Sequence, residues 1–255
     1  MAVRYYRHGA GPALLILHGW GSRASVMKYL AEGLADKRTC YVPDLPGFGD
    51  TPPPDKPWCI DDYVDFAEAF IKDVAGAPAD VLAHSFGGRM VLKWCGRKDA
   101  SGLLGKVLIT GGAGMKPRRS FSYYRRRLVA MLLKSPFMIL PDTLKIKALN
   151  WLRRTSIWKA LGSSEYRQFE GVMRDTFVRT VTEHLDAGLQ DVQHEVLLLW
   201  GKEDLVTPWY QAERMEKGLR NGVLVGIDNA GHYAFLDQPD RFLRIARAFF
   251  LQKGD

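Results

Sequence analysis

The sequence has little cysteine and no long apolar run. Only three cysteines, Cys40, Cys59 and Cys95, occur among its 255 residues. An odd number without metal-ligand spacing argues against a disulfide framework, so we expect reduced thiols, with Cys40 and Cys95 in the core of a cytoplasmic protein. Apolar runs such as residues 13–17 are too short to span a bilayer, which takes about 20 residues. The first residues also lack a signal-peptide pattern, so we expect neither secretion nor stable membrane insertion.

Motifs for nucleotides and metals are missing as well. The chain contains no G-x-x-x-x-G-K-[ST] loop, no H-x-x-E-H and no paired Cys/His spacing. The stretch DLPGFG at 44–49 is rich in glycine but does not have the glycine spacing of a dinucleotide-binding loop. We therefore expect chemistry that uses neither a metal nor a cofactor.

Acidic residues are scarce in one part of the chain. The whole chain has a net charge of +8, whereas residues 115–190 alone hold 15 Lys and Arg against 6 Asp and Glu. The basic excess is confined to this segment, which indicates a separately built part of the molecule. Its densest run, at 118–127, is either a solvated helix face or an attraction for acidic substrates and partners, among them an acidic carrier protein. A membrane-surface role is a further alternative, and we expect no nucleic acid to bind.

Short apolar runs alternate with helical patterns along the rest of the chain. The runs are apolar nearly throughout, as expected for strands buried on both faces of a parallel sheet. Predicted strands span 13–18, 39–44, 80–85, 106–111, 195–201 and 222–228, and predicted helices span about 24–35, 61–75, 87–98, 208–219 and 239–251. Residues 3–9 are expected to add an antiparallel hairpin strand at the sheet edge. The alternation predicts an α/β fold with a mostly parallel, doubly wound sheet.

One long connection interrupts this alternation. Between Gly114 and about Asp191 there is no strand pattern, only basic amphipathic helices separated by prolines and Gly162. An insertion of this length between two strands is usually functional. Its apolar residues either line an acyl pocket or pack the insertion onto the sheet; they are 128–133, 136–140, Trp151, Trp158 and Phe169.

Three polar residues follow predicted strands at the edge where sites form in open α/β sheets. Ser85 ends the third of the six parallel strands, Asp204 lies just beyond the fifth, and His232 follows the last. Their order, Ser then Asp then His, is that of a hydrolytic triad in which His takes the serine proton and Asp orients the imidazole. Taken singly, Asp204 is equally explained as a helix cap, with Glu203 as a rival acid, and His232 as a surface residue.

With these residues the sequence resembles the α/β-hydrolase superfamily. The motifs occur in family order over nearly the full length: LHGWG (17–21), DLPGFGDT (44–51), AHSFGG (83–88), GKEDLVTP (201–208) and GHYAFLDQPDRF (231–242). One departure is Ala83, which stands where the family has the first glycine of its G-x-S-x-G turn; alanine is small enough to fit. The resemblance implies a core of 1–114 and 192–255 with a helical cap at 115–191.

The resemblance also implies roles for individual residues. Ser85 would be the nucleophile, His232 the base and Asp204 its partner, with the backbone N–H groups of Trp20 and Phe86 as oxyanion donors. His18 and His84 are expected to orient loops rather than to act as the base.

Substrate-binding candidates are His18, Arg89, Trp151 and Trp158. Arg89 either binds a substrate carboxylate or makes a structural ion pair.

The function implied is a cofactor-independent serine carboxylesterase that acts on small esters of short to medium chain length. One alternative is a C–C bond hydrolase of vinylogous diketones, which uses the same triad. Another is a methyl esterase for acyl groups on a carrier protein, whose family has tryptophan where this chain has His84. A remote alternative is a non-catalytic ligand-binding protein. Haloalkane dehalogenases and epoxide hydrolases place aspartate at the position of Ser85 and are disfavoured.

Overall fold

The computed structural model describes residues 1–76, 78–97, 102–118, 121–155 and 169–251. The chain divides into two compact units. The first, here called the sheet unit, consists of Met1–Lys116 and Asp175–Asp255; the second, the helical unit, consists of Pro117–Arg174. The predicted cap, 115–191, therefore has its last part, Asp175–Asp191, in the sheet unit, and its role as a cap stays a prediction.

The sheet unit is built on one mostly parallel sheet. In the part of the chain that the structure describes, its seven strands are β1 Tyr5–His8, β2 Ala13–Leu17, β3 Thr39–Pro43, β4 Ala79–His84, β5 Leu104–Thr110, β6 Val196–Gly201 and β7 Gly222–Ile227. Their order in the sheet is β1-β3-β2-β4-β5-β6-β7, and only the pairing of β1 with β3 is antiparallel. The predicted α/β fold with a mostly parallel sheet is confirmed.

Helices cover both faces of this sheet. The described helices of the two units together, in chain order, are α1 Lys28–Leu34, α2 Ile60–Phe70, α3 Phe86–Cys95, α4 Phe121–Lys134, α5 Asp142–Arg154, α6 Gly171–Thr182, α7 Trp209–Gly218, α8 Ala234–Asp237 and α9 Pro239–Leu251; α4 and α5 belong to the helical unit. Leu14 and Ile16 on β2 belong to one core cluster with Leu30 on α1 and Phe242 on α9. Leu15 and Leu17 are also fully buried. Since alternate strand residues point to opposite faces, the sheet is buried on both sides at β2, which explains the continuous apolar run of that strand.

Strand β1 lies at the sheet edge as predicted, but it does not form a hairpin with β2. It pairs with β3, from Tyr5 opposite Pro43 to His8 opposite Cys40. The two sides of β2 are occupied by β3 and β4, so the free edge belongs to β3. The loop from β1 to β2 passes close to the backbone at Ala35. A Cβ on Gly9, at φ +80°, would be 2.2 Å from the Ala35 carbonyl oxygen.

Several helix ends differ from the sequence prediction. The predicted helix 24–35 begins with the 3-10 turn Ala24–Met27, and 61–75 ends with the π-helical turn Ile71–Ala75. The short helix α8 was not predicted, because its four residues are fewer than a periodic pattern needs. Of the predicted helix 87–98, residue 98 lies outside the described residues.

The helical unit contains α4 and α5, joined through the 3-10 turn Ser135–Phe137. Pro136 in this turn and Pro141 at the start of α5 separate the two helices. Within the residues described, no helix of the protein is both long enough and apolar enough to cross a membrane.

Candidate active site

Ser85 occupies a strained turn between β4 and α3. Its backbone has φ 52° and ψ −108°, and Asn229 is the only other non-glycine residue with positive φ among those described. Such a conformation costs on the order of 1–3 kcal/mol and persists only where neighbours enforce it. Here the Ser85 N–H donates to the Thr110 carbonyl at 3.0 Å, and its own carbonyl accepts from Ala113 N–H at 2.9 Å. The turn is thus held from both β5 and the loop that follows it.

Small residues let α3 lie close to the sheet. A Cβ on Gly87 would be 2.8 Å from the Leu17 carbonyl oxygen, and one on Gly88 would be 2.7 Å from Ile109 Cγ2. Ala83, which replaces the family's first glycine, is fully buried and still pairs with Leu17 on one side and Ile109 on the other. The extra methyl group is therefore accommodated within an intact β4.

Ser85, His232 and Asp204 form a continuous hydrogen-bonded series. The distance from Ser85 Oγ to His232 Nε2 is 3.1 Å, and that from His232 Nδ1 to Asp204 Oδ2 is 2.8 Å. These separations are within the range needed for proton transfer from a hydroxyl to an imidazole that a carboxylate orients. The rival acid, Glu203, is exposed to solvent, whereas Asp204 is buried.

Both oxygens of the Asp204 carboxylate accept hydrogen bonds. Its Oδ1 accepts the N–H groups of Val206 and Thr207, each at 2.8 Å, and its Oδ2 accepts the Thr207 hydroxyl at 2.7 Å. Burial disfavours the charged form, but the hydrogen bond and charge of His232, together with the donors of Thr207, outweigh it and lower the pKa of Asp204 below its ordinary value. The side chain is therefore an ionised carboxylate at neutral pH.

His84 contacts the loop that carries His232. Its Nε2 lies 3.1 Å from the His232 carbonyl oxygen, so Nε2–H is the donor, and the two imidazole centroids are 4.7 Å apart. His84 is buried, and this burial lowers its pKa to about 3, so the ring is neutral. That His84 orients this loop stays a prediction.

His18 orients a second loop beside Ser85. Its Nδ1–H donates to the Gly19 carbonyl at 2.8 Å, and its Nε2 accepts from Leu45 N–H at 3.0 Å. Burial lowers the pKa of His18 to about 4, which keeps the imidazole neutral and able to accept. Both ring nitrogens thus contact the backbone, and a contact of His18 with substrate stays a prediction.

The two backbone groups predicted as oxyanion donors flank the serine. Phe86 is the first residue of α3, so its N–H has no acceptor within its own helix. The loop at Gly19 and Trp20 passes against the serine, since a Cβ on Gly19 would be 3.1 Å from Ser85 Cβ. Their role as an oxyanion hole stays a prediction.

Aromatic rings pack into a largely buried cluster next to this loop. The Trp20 ring lies 4.8 Å from Phe48, 5.1 Å from Phe86 and 5.3 Å from Phe177, measured between centroids. Phe177 was not singled out in the sequence. It comes from α6, far along the chain from Trp20, and no local pattern indicates that the two meet.

Arg89 is buried and bound to backbone carbonyls. Its Nη1 donates to the carbonyl oxygens of Thr180 and Glu183 at the end of α6, the latter at 2.7 Å. Burial lowers the pKa of Arg89 to about 10, opposed by the charge of Glu183, so it remains protonated. The carboxylate of Glu183 instead pairs with Lys93 at 2.7 Å. Arg89 thus contacts carbonyls rather than the carboxylate of an ion pair, and its binding of a substrate carboxylate stays a prediction.

The two tryptophans predicted to bind substrate belong to the helical unit. Trp151 on α5 is 63% exposed, and Trp158 lies outside the described residues. Their contact with substrate stays a prediction. In the portion of the chain described, no group of three or more His, Cys, Asp or Glu side chains is arranged to hold a metal ion.

Comparison with known proteins identifies a matching family and similar enzymes. A model of the "Alpha/beta hydrolase family" matches residues 14–245. A pimeloyl-[acyl-carrier protein] methyl ester esterase of Nitrosomonas europaea is 24% identical over 250 residues, which cover 92% of this chain and 94% of that protein.

Solved structures of similar fold include an esterase from Exiguobacterium antarcticum, with a TM-score of 0.73 and 18% identity over 97% of this chain and 94% of that one. A meta-cleavage product hydrolase from Pseudomonas fluorescens IP01 has a TM-score of 0.71 and 19% identity, and the match covers 97% of this chain and 93% of that one.

Proposed function

Since the chain belongs to the alpha/beta hydrolase family, we propose that it is a serine carboxylesterase acting on small esters of short to medium chain length. Ser85 is the nucleophile, His232 the general base and Asp204 the partner of the imidazole. The observation that carries this proposal is the series Ser85–His232–Asp204, with separations of 3.1 and 2.8 Å, built on a serine at positive φ.

Acylation begins at the Ser85 hydroxyl. As Oγ attacks the ester carbonyl, its proton passes to His232 Nε2, and Asp204 stabilises the imidazolium through Nδ1–H. The negative charge that develops on the carbonyl oxygen is met by the N–H groups of Phe86 and Trp20. Losing one such donor typically lowers the rate by about 10²–10³. Collapse of the tetrahedral intermediate breaks the ester C–O bond, and the alcohol leaves with the proton from Nε2.

Deacylation repeats these steps with water. His232 removes a proton from a water molecule, whose oxygen attacks the acyl carbonyl, and Ser85 Oγ leaves and takes the proton back. The carboxylic acid product is released and the enzyme returns to its starting state. No metal or cofactor takes part in this proposal.

A second candidate is hydrolysis of a methyl ester on an acyl group carried by an acidic carrier protein. It is supported by the similarity to the methyl ester esterase of Nitrosomonas europaea and by the excess of basic residues at 115–190. This reaction uses the same three side chains and differs only in the carrier of the acyl group. Hydrolysis of C–C bonds in diketones would also use them.

The test is turnover of p-nitrophenyl esters from acetate to decanoate by the wild type and by Ser85→Ala. We expect a maximum at one chain length and loss of nearly all turnover in the variant, since the acyl-enzyme can no longer form. Full activity in Ser85→Ala would refute the nucleophile assignment.

Labelling with a fluorophosphonate separates the remaining outcomes. A protein that is labelled at Ser85 but hydrolyses no p-nitrophenyl ester retains an activated serine, and the substrate is then a diketone or a carrier-bound ester. Absence of both labelling and turnover would favour a non-catalytic ligand-binding protein.

A further inference from the structure

The helical unit exposes large apolar side chains at an unusual density. Twenty large apolar residues are exposed among those described, and nine of them lie within Pro117–Arg174. Single exposed apolar residues are ordinary on a protein surface, but a contiguous group marks an interaction site. In the sheet unit the other eleven are spread over strands, loops and helices on different parts of the chain.

On α4 the exposed apolar residues share one face. Leu128, Met131 and Leu132 are 51%, 60% and 58% exposed, and Arg125 on the same side is also exposed. Residues 125, 128 and 132 are spaced three and four apart, so they lie along one stripe of the helix. The face thus carries long aliphatic side chains next to a permanent positive charge.

Helix α5 and the turn before it repeat this combination. Leu144 and Trp151 are 53% and 63% exposed, and Lys147, which is also exposed, lies between them at helical spacing. Ile146 is 59% exposed but lies on another side of the helix, and it is not part of this combination. Between the helices Met138 is 55% exposed and Ile139 88% exposed. We name these exposed side chains of α4, of α5 and of the turn between them the basic apolar face.

Charge identifies the kind of partner that fits this face. Residues 117–174 hold 13 Lys and Arg against 3 Asp and Glu, a net charge of +10. An anionic surface is therefore attracted, and the same surface must also accept leucine, isoleucine and tryptophan side chains. The interface of an anionic phospholipid bilayer offers both, because a layer of phosphates lies directly above the acyl chains.

We propose that the basic apolar face binds reversibly to the surface of anionic phospholipid membranes. Leu132, Ile139 and Trp151 insert at the boundary between headgroups and acyl chains, while Arg125 and Lys147 extend to the phosphates. Binding is peripheral and does not depend on the esterase proposal. An acidic protein also matches the charge, but the apolar side chains lie on two helices and the turn between them, and a bilayer offers phosphates and acyl chains over its whole extent.

The experiment is co-sedimentation of the full chain with vesicles. Vesicles of phosphatidylcholine alone are compared with vesicles that also contain phosphatidylglycerol, at low and at physiological salt. We expect binding at least about tenfold tighter to the anionic vesicles, and weaker binding as salt screens the charges.

Two pairs of substitutions test the two components separately. Leu132→Gln with Ile139→Gln removes apolar contacts, and Arg125→Glu with Lys147→Glu reverses charge; each pair is expected to weaken vesicle binding by about tenfold or more. The matched control is Val223→Gln with Lys28→Glu, both at exposed positions of the sheet unit, which should bind like the wild type.

Three results would overturn the proposal. They are no preference for anionic vesicles, wild-type binding by the apolar pair, and binding to an acidic carrier protein without binding to vesicles. Thermal unfolding of each variant shows whether it is folded. If a double variant fails to fold, the single substitutions Leu132→Gln and Ile139→Gln take its place, with a smaller loss expected for each.

Discussion

On β2 of the sheet unit, Leu14, Leu15 and Ile16 have no exposed surface, whereas in the helical unit Leu132 is 58% and Ile139 88% exposed. The residue types are alike, so the difference lies in what surrounds them. Strand β2 has neighbouring strands on both edges and is buried on both faces, whereas the described helices of the helical unit leave large apolar side chains open to solvent. Burial in one unit stabilises the fold, and exposure in the other is the basis of the membrane binding proposed above.

The candidate site belongs wholly to the well-packed unit. Ser85, Asp204 and His232 follow β4, β6 and β7, and their backbone and side-chain hydrogen bonds leave each little freedom. Catalytic geometry must hold to within fractions of an ångström, which favours rigid elements over exposed helices. We therefore expect substitutions near the triad to change catalysis or stability strongly, and substitutions on the basic apolar face to leave stability unchanged.

The largest effect is expected for Asp204→Asn in the sheet unit. Without the carboxylate, the imidazolium of His232 is no longer stabilised and the neutral ring no longer has its tautomer fixed, so kcat on p-nitrophenyl esters should fall by about 10⁴. The matched control is Glu203→Gln, the exposed neighbour, which should keep wild-type kcat. Equal losses in the two variants would mean that Asp204 has no special role.

A smaller effect, on stability, is expected for Arg89→Met. The substitution removes the donors to the carbonyls of Thr180 and Glu183 and leaves a buried and a partly buried acceptor unpaired, at a cost of about 1–3 kcal/mol in the free energy of unfolding. Urea denaturation measures it. The exposed cation Lys28, paired at 3.4 Å with Glu32, serves as the control, and Lys28→Met should cost less than about 1 kcal/mol. Similar values for the two would contradict the structural role of Arg89.

His84→Phe is expected to affect catalysis more weakly than Asp204→Asn. Phenylalanine preserves a ring beside His232 but cannot donate to its carbonyl, so the loop is less firmly positioned and kcat should fall by about tenfold with little change in KM, which corresponds to one hydrogen bond. His184, which is exposed, gives the control substitution His184→Phe. An unchanged kcat, or a loss confined to KM, would remove His84 from the positioning of the triad.

The sequence patterns predicted the features that depend on nearby residues, but not those that depend on contacts between residues far apart in the chain. The strands and the chain order of Ser85, Asp204 and His232 could be predicted, because apolar runs and polar strand ends are local signals. The partner of β1 depends on which sheet edge is free, and the contact of Trp20 with Phe177 depends on how a late helix returns to the sheet. Neither of these contacts can be predicted from the residues next to it in the sequence.

The smallest effect is expected on the basic apolar face. Leu132→Gln replaces an exposed apolar side chain on an exposed helix face, so the free energy of unfolding should change by no more than about 0.5 kcal/mol. The same substitution at Leu82 in β4 buries an amide where no partner is available and should cost several times as much, about 3 kcal/mol or more. Urea denaturation of the two variants side by side measures the contrast directly. A strongly destabilised Leu132→Gln would mean that this leucine contributes to folding. The apolar residues of the two units would then differ less in their contribution to stability than their exposed fractions indicate.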